Sequence, residues 1–166
     1  MQDLLPIAAR LGALLKDRRE TLAIAESSTG GLVSAAMLTV PGASEYFLGG
    51  AILYTRESRR TLLDIPDSAF AGIRSVTEEL AKVLARGALK RFGSTWSVAE
   101  VGAAGPTGNR YGDPAGHSCI AIAGPVERAT TVETGSSDRI ANMRAFSAAA
   151  LEMLAQAIAS ARPARS

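Results

Sequence analysis

The segment Ala25-Glu26-Ser27-Ser28-Thr29-Gly30-Gly31 constrains this chain more than any other, because it hands an apolar strand over to a helix through polar residues. Before it, Leu22-Ala23-Ile24-Ala25 is a short apolar run of the kind that forms a buried strand. After it, Leu32-Val33-Ser34-Ala35-Ala36-Met37-Leu38 has the spacing of a helix with an apolar face. At such a junction the backbone N–H groups lack intrahelical partners and the helix dipole presents its positive end. Two glycines let a ligand approach the backbone, and three hydroxyls offer donors that rotate to suit it. That combination suits an anion such as phosphate. The same residues are also ordinary caps and turn formers, and neither a Walker lysine nor a G-x-G-x-x-G pattern is present. Glu26 stands apart, since a carboxylate at the end of an apolar strand is either solvated or used.

The rest of the chain supplies a scaffold for this junction. Leu4, Ile7, Ala8, Leu11, Leu14 and Leu15 predict an amphipathic helix over 4–19. Phe47–Tyr54 reads as a strand, with Gly49 and Gly50 suggesting a bulge or a close approach. A short helix follows Thr55 and runs out before Pro66. Thr77 is a candidate cap for a third helix, whose first turn carries Glu78 and Glu79 and whose Gly87 leaves room for a neighbour. Trp96–Val101 is strand-like and runs into Gly102-Ala103-Ala104-Gly105-Pro106-Thr107-Gly108-Asn109, either a second site loop or a plain connection. Strands at 118–123 and 129–134 form a possible hairpin around Gly124-Pro125, and a helix over 138–160 closes the chain. The order α-β-α-β-α-α-β-β-β-α predicts one domain over 1–160, a three-layer α/β/α sandwich on a mixed, mostly parallel sheet, with a frayed tail at 161–166. In such folds ligands sit at the carboxyl ends of strands, where both polar loops and Tyr54 fall.

Composition narrows the function. The 47% hydrophobic and 20% charged content fits a soluble globular domain, and a net charge of +2 with scattered basic residues gives no footprint for nucleic acid. No apolar run approaches the ~20 residues of a membrane span and the N-terminus has no signal-peptide pattern, so the expected location is the cytoplasm. One cysteine, Cys119, and one histidine, His117, exclude an intrachain disulfide and a Cys/His zinc site. Cys119 alternates with apolar residues and reads as core filler, His117 as a solvated or core-facing side chain, and Trp96 as packing.

Residues 25–31 resemble the AES-C-TGG motif of the CinA C-terminal domain family, whose active members are nicotinamide-nucleotide amidases. Tyr54 with its following polar helix, Ser75-Val76-Thr77-Glu78 and Gly105-Pro106-Thr107-Gly108 match further segments in the expected order. The resemblance implies an α/β domain, often dimeric, that hydrolyses nicotinamide mononucleotide to nicotinate mononucleotide and ammonia. It implies neither metal nor cofactor. Several positions depart from the family pattern. Ser28 replaces cysteine, Arg56 replaces asparagine, and Arg59 replaces a lysine. An arginine can supply charge but cannot act by losing a proton. In the second loop the family's second glycine and K-P-x-G give way to Asn109–Gly116, with Arg110 a candidate substitute cation. Asp138-Arg139 resembles a G-D-R segment.

Deamidation needs a nucleophile, donors for the developing oxyanion and a proton for ammonia. The expected cast is Ser27 as nucleophile or water-orienting hydroxyl, Glu26 and Tyr54 as proton-handling or positioning partners, and Arg59 as charge stabiliser. Tyr54 is equally compatible with an amphipathic rim position. Ser28, Thr29, Gly30 and Gly31, with Gly105, Pro106, Thr107 and Gly108, would hold the ribose phosphate. The competing expectations are a non-catalytic relative that binds a nucleotide and a hydrolase for a different nucleotide-like amide.

Overall fold

The structure, a computed structural model, describes residues 1–162. Its elements are α1 (Leu5–Arg18), β1 (Leu22–Glu26), α2 (Leu32–Leu38), β2 (Phe47–Ile52), α3 (Arg56–Leu63), α4 (Glu78–Phe92), β3 (Trp96–Ala103), β4 (His117–Ala123), β5 (Arg128–Glu133) and α5 (Arg139–Ser160), with short 3-10 turns at 2–4, 43–45 and 67–70. This is the expected order of helices and strands. The strands lie in the order β2-β1-β3-β4-β5. β1 pairs in parallel with β2 and β3, whereas β4 pairs antiparallel with β3 and β5. Four strands therefore run one way and only β4 is reversed.

Alternation along the central strands sorts the core into two layers, because successive side chains point to opposite faces. Leu22 and Ile24, Trp96 and Val98, and Ile120 and Ile122 pack with buried residues of α1, α2 and α5. Ala23 and Ala25, Ala99 and Val101, and Cys119 and Ala121 pack with Leu80, Leu84 and Ala88 of α4. Small side chains on that second face let α4 lie close to the sheet. Thr77 caps α4 as expected, its hydroxyl accepting from Leu80 N–H at 3.3 Å. A Cβ on Gly87 would stand 2.4 Å from Ile65 Cδ1, so this glycine does admit a close neighbour. Ala161, expected in the frayed tail, is buried and bonded to Ala157 and Ile158, while 163–166 lie outside the described residues. No described helix is long and apolar enough to cross a membrane.

Candidate active site

Three parallel strands end on one rim of the sheet, and each delivers a segment singled out in the sequence. The 27–31 loop follows β1, Tyr54 follows β2 by two residues, and the 104–109 loop follows β3. The N-terminus of α5 reaches the same rim after β5.

Beneath the rim lie two buried carboxylates. Glu26 and Glu100 continue the faces of Leu22 and Ile24 on β1 and of Trp96 and Val98 on β3, and the parallel register Leu22↔Trp96, Ile24↔Val98 brings them side by side. Each is 1% exposed. Glu26 accepts from the N–H groups of Gly31, Val33 and Ser34 at 2.8–3.0 Å, and from the hydroxyls of Thr29 and Ser34. It is thus the cap of α2, whose own N-cap Gly31 has no side chain to offer. Glu100 accepts from the N–H groups of Ser27 and Thr29 and from the hydroxyls of Ser28, Thr29 and Ser118. Thr29 Oγ1 lies 2.9 Å from Glu26 and 3.1 Å from Glu100, so its one proton serves either carboxylate in turn.

The donors of Thr29 and Gly31 that were to meet a phosphate are bonded to the protein's own carboxylates, and Thr29 is fully buried. Gly30 N–H is bonded to the Ser27 carbonyl at 3.2 Å. An internal anion already occupies the helix terminus that invited an external one.

The open space is a cleft of about 220 Å³ next to that loop, lined by Ser28, Tyr54, Gly102–Gly105, Thr107–Asn109 and Arg139. Ser28 forms its floor, with its hydroxyl on Glu100. A Cβ on Gly102 would fall 2.5 Å from Ser28 Oγ, so only glycine leaves this pair undisturbed. Ser27, 8% exposed, is tied through its N–H to Glu100, but its hydroxyl has no hydrogen-bond partner among the described residues. On the opposite wall Arg139 donates to the Gly105 carbonyl at 2.6 Å and to Tyr54 Oη at 3.3 Å. Asn142 ties the Ala104 and Ser136 carbonyls together at 2.8 Å each, fixing the loop after β3 to the start of α5. Tyr54 itself is 61% exposed. Pro106 follows Gly105 through a cis peptide bond in the same loop.

Other predicted residues lie elsewhere. Arg59 is not in the cleft wall. Its guanidinium carbon lies 6.0 Å from the centre of the Phe70 ring, and its Nε is buried without a partner among the described residues. Burial, and then the neighbouring Arg56, push its pKa below the usual guanidinium value. His117 sits between Glu133, the Val76 carbonyl at 3.3 Å and Asp113 at 3.8 Å, on the edge of the cleft's outer loop. Cys119 is 2% exposed in the α4 layer, and burial raises its thiol pKa. Trp96 is fully buried, its Nε1 donating to Glu20 at 2.6 Å.

The comparisons with known proteins agree with this architecture. The family model described as the CinA C-terminal domain matches residues 4–158. A CinA-like protein of Synechococcus elongatus is 41% identical over 134 residues, which cover 78% of this chain and 32% of the relative. A CinA-like protein of Chloroherpeton thalassium is 34% identical over 160 residues, covering 90% of this chain and 37% of that protein. The chain spans about a third of the length of the curated relatives it matches. The solved structure of the competence/damage inducible protein CihA from Agrobacterium tumefaciens superposes with a TM-score of 0.87 at 28% identity, over 95% of this chain and 96% of that one. The competence damage-inducible protein A (ComA) of Klebsiella pneumoniae shares the fold, with a TM-score of 0.88 at 24% identity over 95% and 98% of the two chains. With a family match that runs from α1 into α5, this chain belongs to the CinA C-terminal domain family.

Proposed function

We propose that this chain is an amidohydrolase acting on nicotinamide mononucleotide, releasing ammonia and leaving nicotinate mononucleotide. The observation that carries the reading is that Ser28, bonded to Glu100, and Arg139 line one cleft. A carboxylate with hydroxyls on one side and a cation on the other suits a substrate with a neutral amide at one end and a phosphate at the other. In this reading the unpartnered Ser27 hydroxyl attacks the carboxamide carbon or orients the water that does. The proton given up by that hydroxyl or water goes to the departing nitrogen, which leaves as ammonia. Water then supplies the oxygen of the new carboxylate. Tyr54 borders the nucleotide, and Arg139 with Gly105, Pro106, Thr107 and Gly108 faces its phosphate. Glu26, Thr29, Gly30 and Gly31 act from beneath by fixing the loop, and Arg59 adds positive potential from α3. The reading includes a homo-oligomer without a cofactor, as the family resemblance implies, located in the cytoplasm.

A second reading, a nucleotide-binding relative without turnover, is favoured by Arg59. It stands where the family pattern has lysine and lies against Phe70 instead of lining the cleft. Incubation with nicotinamide mononucleotide separates the two. The amidase reading expects ammonia and nicotinate mononucleotide in equal amounts. Saturable binding without either product would leave the binding role, and absence of both binding and turnover would remove the nucleotide reading altogether.

A further inference from the structure

We propose that the Ser28–Glu100 pair makes the cleft selective for a neutral primary carboxamide over the corresponding carboxylate. The proposal rests on reading the cleft as the site of an amide, and it adds how substrate is told apart from product.

The position of one proton carries it. Ser28 Oγ lies 2.5 Å from Glu100 Oε1, and a carboxylate only accepts, so the single proton of the serine points at the acid. Ser28 Oγ has no second hydrogen-bond partner among the described residues, and what it has left to offer is lone pairs. Ser28 and Gly102 both line the cleft, and a Cβ on Gly102 would stand 2.5 Å from Ser28 Oγ and 2.8 Å from Glu100 Oε1. The bare backbone at 102 therefore leaves that oxygen uncovered. It meets a ligand as an acceptor, with a carboxylate directly behind it.

This polarity is fixed. Glu100 Oε2 accepts from the N–H groups of Ser27 and Thr29 at 3.2 and 3.0 Å, donors that cannot rotate, while Oε1 takes the hydroxyls of Ser28 and Ser118. Elsewhere the cleft offers donors. Arg139 donates to the Gly105 carbonyl and to Tyr54 Oη, and Tyr54 keeps its own proton to give. The NH2 of a carboxamide donates to Ser28. A carboxylate has no proton to give, so it sets acceptor against acceptor with Glu100 behind, an unpaired contact that is costly away from water. Hydrolysis thus turns the group that fits into one that does not.

The test is calorimetric titration of Ser27→Ala, chosen so that the amide is not consumed, with nicotinamide mononucleotide, nicotinate mononucleotide, free nicotinamide and free nicotinate. Within each pair the amide is expected to bind about tenfold tighter than the acid. Adding Glu100→Gln reverses the polarity. The fixed N–H groups of Ser27 and Thr29 hold the glutamine oxygen, and its NH2 then faces Ser28 and Ser118. Ser118 turns its proton to the Val101 carbonyl, 3.2 Å away, and Ser28 turns its own into the cleft. In that variant amide and acid are expected to bind within about twofold of each other, or the acid tighter. A site that is merely loosened weakens both and keeps their ratio. Should Glu100→Gln unfold, Ser28→Ala, which removes the accepting oxygen and keeps the carboxylate, is expected to cut the ratio to about threefold or less. Equal binding of the two nucleotides by Ser27→Ala, or an amide preference that survives both substitutions, would overturn the selectivity and leave the nucleotide site standing. A preference for nicotinamide over nicotinate without binding of either nucleotide would uphold the selectivity and refute the nucleotide reading. Binding of none of these compounds would overturn both.

Discussion

Glu26 and Glu100 are held side by side out of water, which is stable only because each is surrounded by donors. Glu26→Gln keeps the volume but turns an NH2 group towards the N–H groups of Val33 and Ser34 or the hydroxyl of Ser34. We expect it to cost about 2–3 kcal/mol, read as a lower urea midpoint, because at least one buried donor is left unsatisfied. A midpoint unchanged from the parent would show that the α2 terminus does not depend on this carboxylate. Glu26 was legible in the sequence as an acid at the end of an apolar strand, although its role as an internal cap was not. Glu100 was passed over, yet a signal existed: it continues the Trp96, Val98 alternation just as Glu26 continues Leu22, Ile24. Only the parallel register of β1 and β3 turns two separate patterns into a pair. Arg139 was read as part of a family segment, but its bonds to Gly105 and Tyr54 are tertiary and no local pattern encodes them.

The elements that bound the cleft depend on two tethers. One is the loop after β3, where Gly105 has φ +107° and a Cβ would stand 2.7 Å from the Ser137 carbonyl oxygen. Gly105→Ala therefore adds backbone strain to a collision with main chain. A loss of about 1–3 kcal/mol in stability is expected, together with weaker ligand binding, since the loop must move away from Arg139. Wild-type stability and binding in that variant would mean that the loop tolerates displacement. The other tether is Asp113, which accepts from Arg74 at 2.8 and 2.9 Å and from Asn109 Nδ2 at 2.8 Å. Arg74 above all, then Asn109, holds the Asp113 carboxyl below its ordinary value. The unfolded chain then binds this proton more readily than the folded one. The tether's contribution is complete above about pH 3.9 and is lost as pH falls through the lower native pKa. Asp113→Asn is expected to flatten the acid limb of the stability profile, followed by urea titrations from about pH 7 down to about pH 3. An acid limb as steep as the parent's would exclude this carboxyl as a contributor.

At the scale of the whole molecule, four strands pointing one way collect the ends of β1, β2, β3 and β5 on a single rim, and the cleft is a consequence of that direction. Periodicity and turn residues in the sequence were enough to order the helices and strands, because each element buries one face and is bounded by its own punctuation. They paired β4 with β5, through the hairpin expected around Gly124-Pro125, but could not pair the other strands or say which loop donors are already satisfied, since both depend on neighbours distant in the chain. The anion expected at residues 28–31 shows the difference: the donors of Thr29 and Gly31 are bonded to the protein's own Glu26 and Glu100. What distinguishes the cleft from a merely well-packed rim is Ser28, whose hydroxyl is bonded to Glu100, beside Ser27, whose hydroxyl has no hydrogen-bond partner among the described residues. The most direct test follows ammonia release from nicotinamide mononucleotide by the parent chain and by Ser27→Ala, with binding of the nucleotide measured in both. The account predicts turnover in the parent and its loss in Ser27→Ala, with affinity for the nucleotide changed by no more than about twofold. Ammonia release by Ser27→Ala at the parent's rate, or none by either protein, would contradict it.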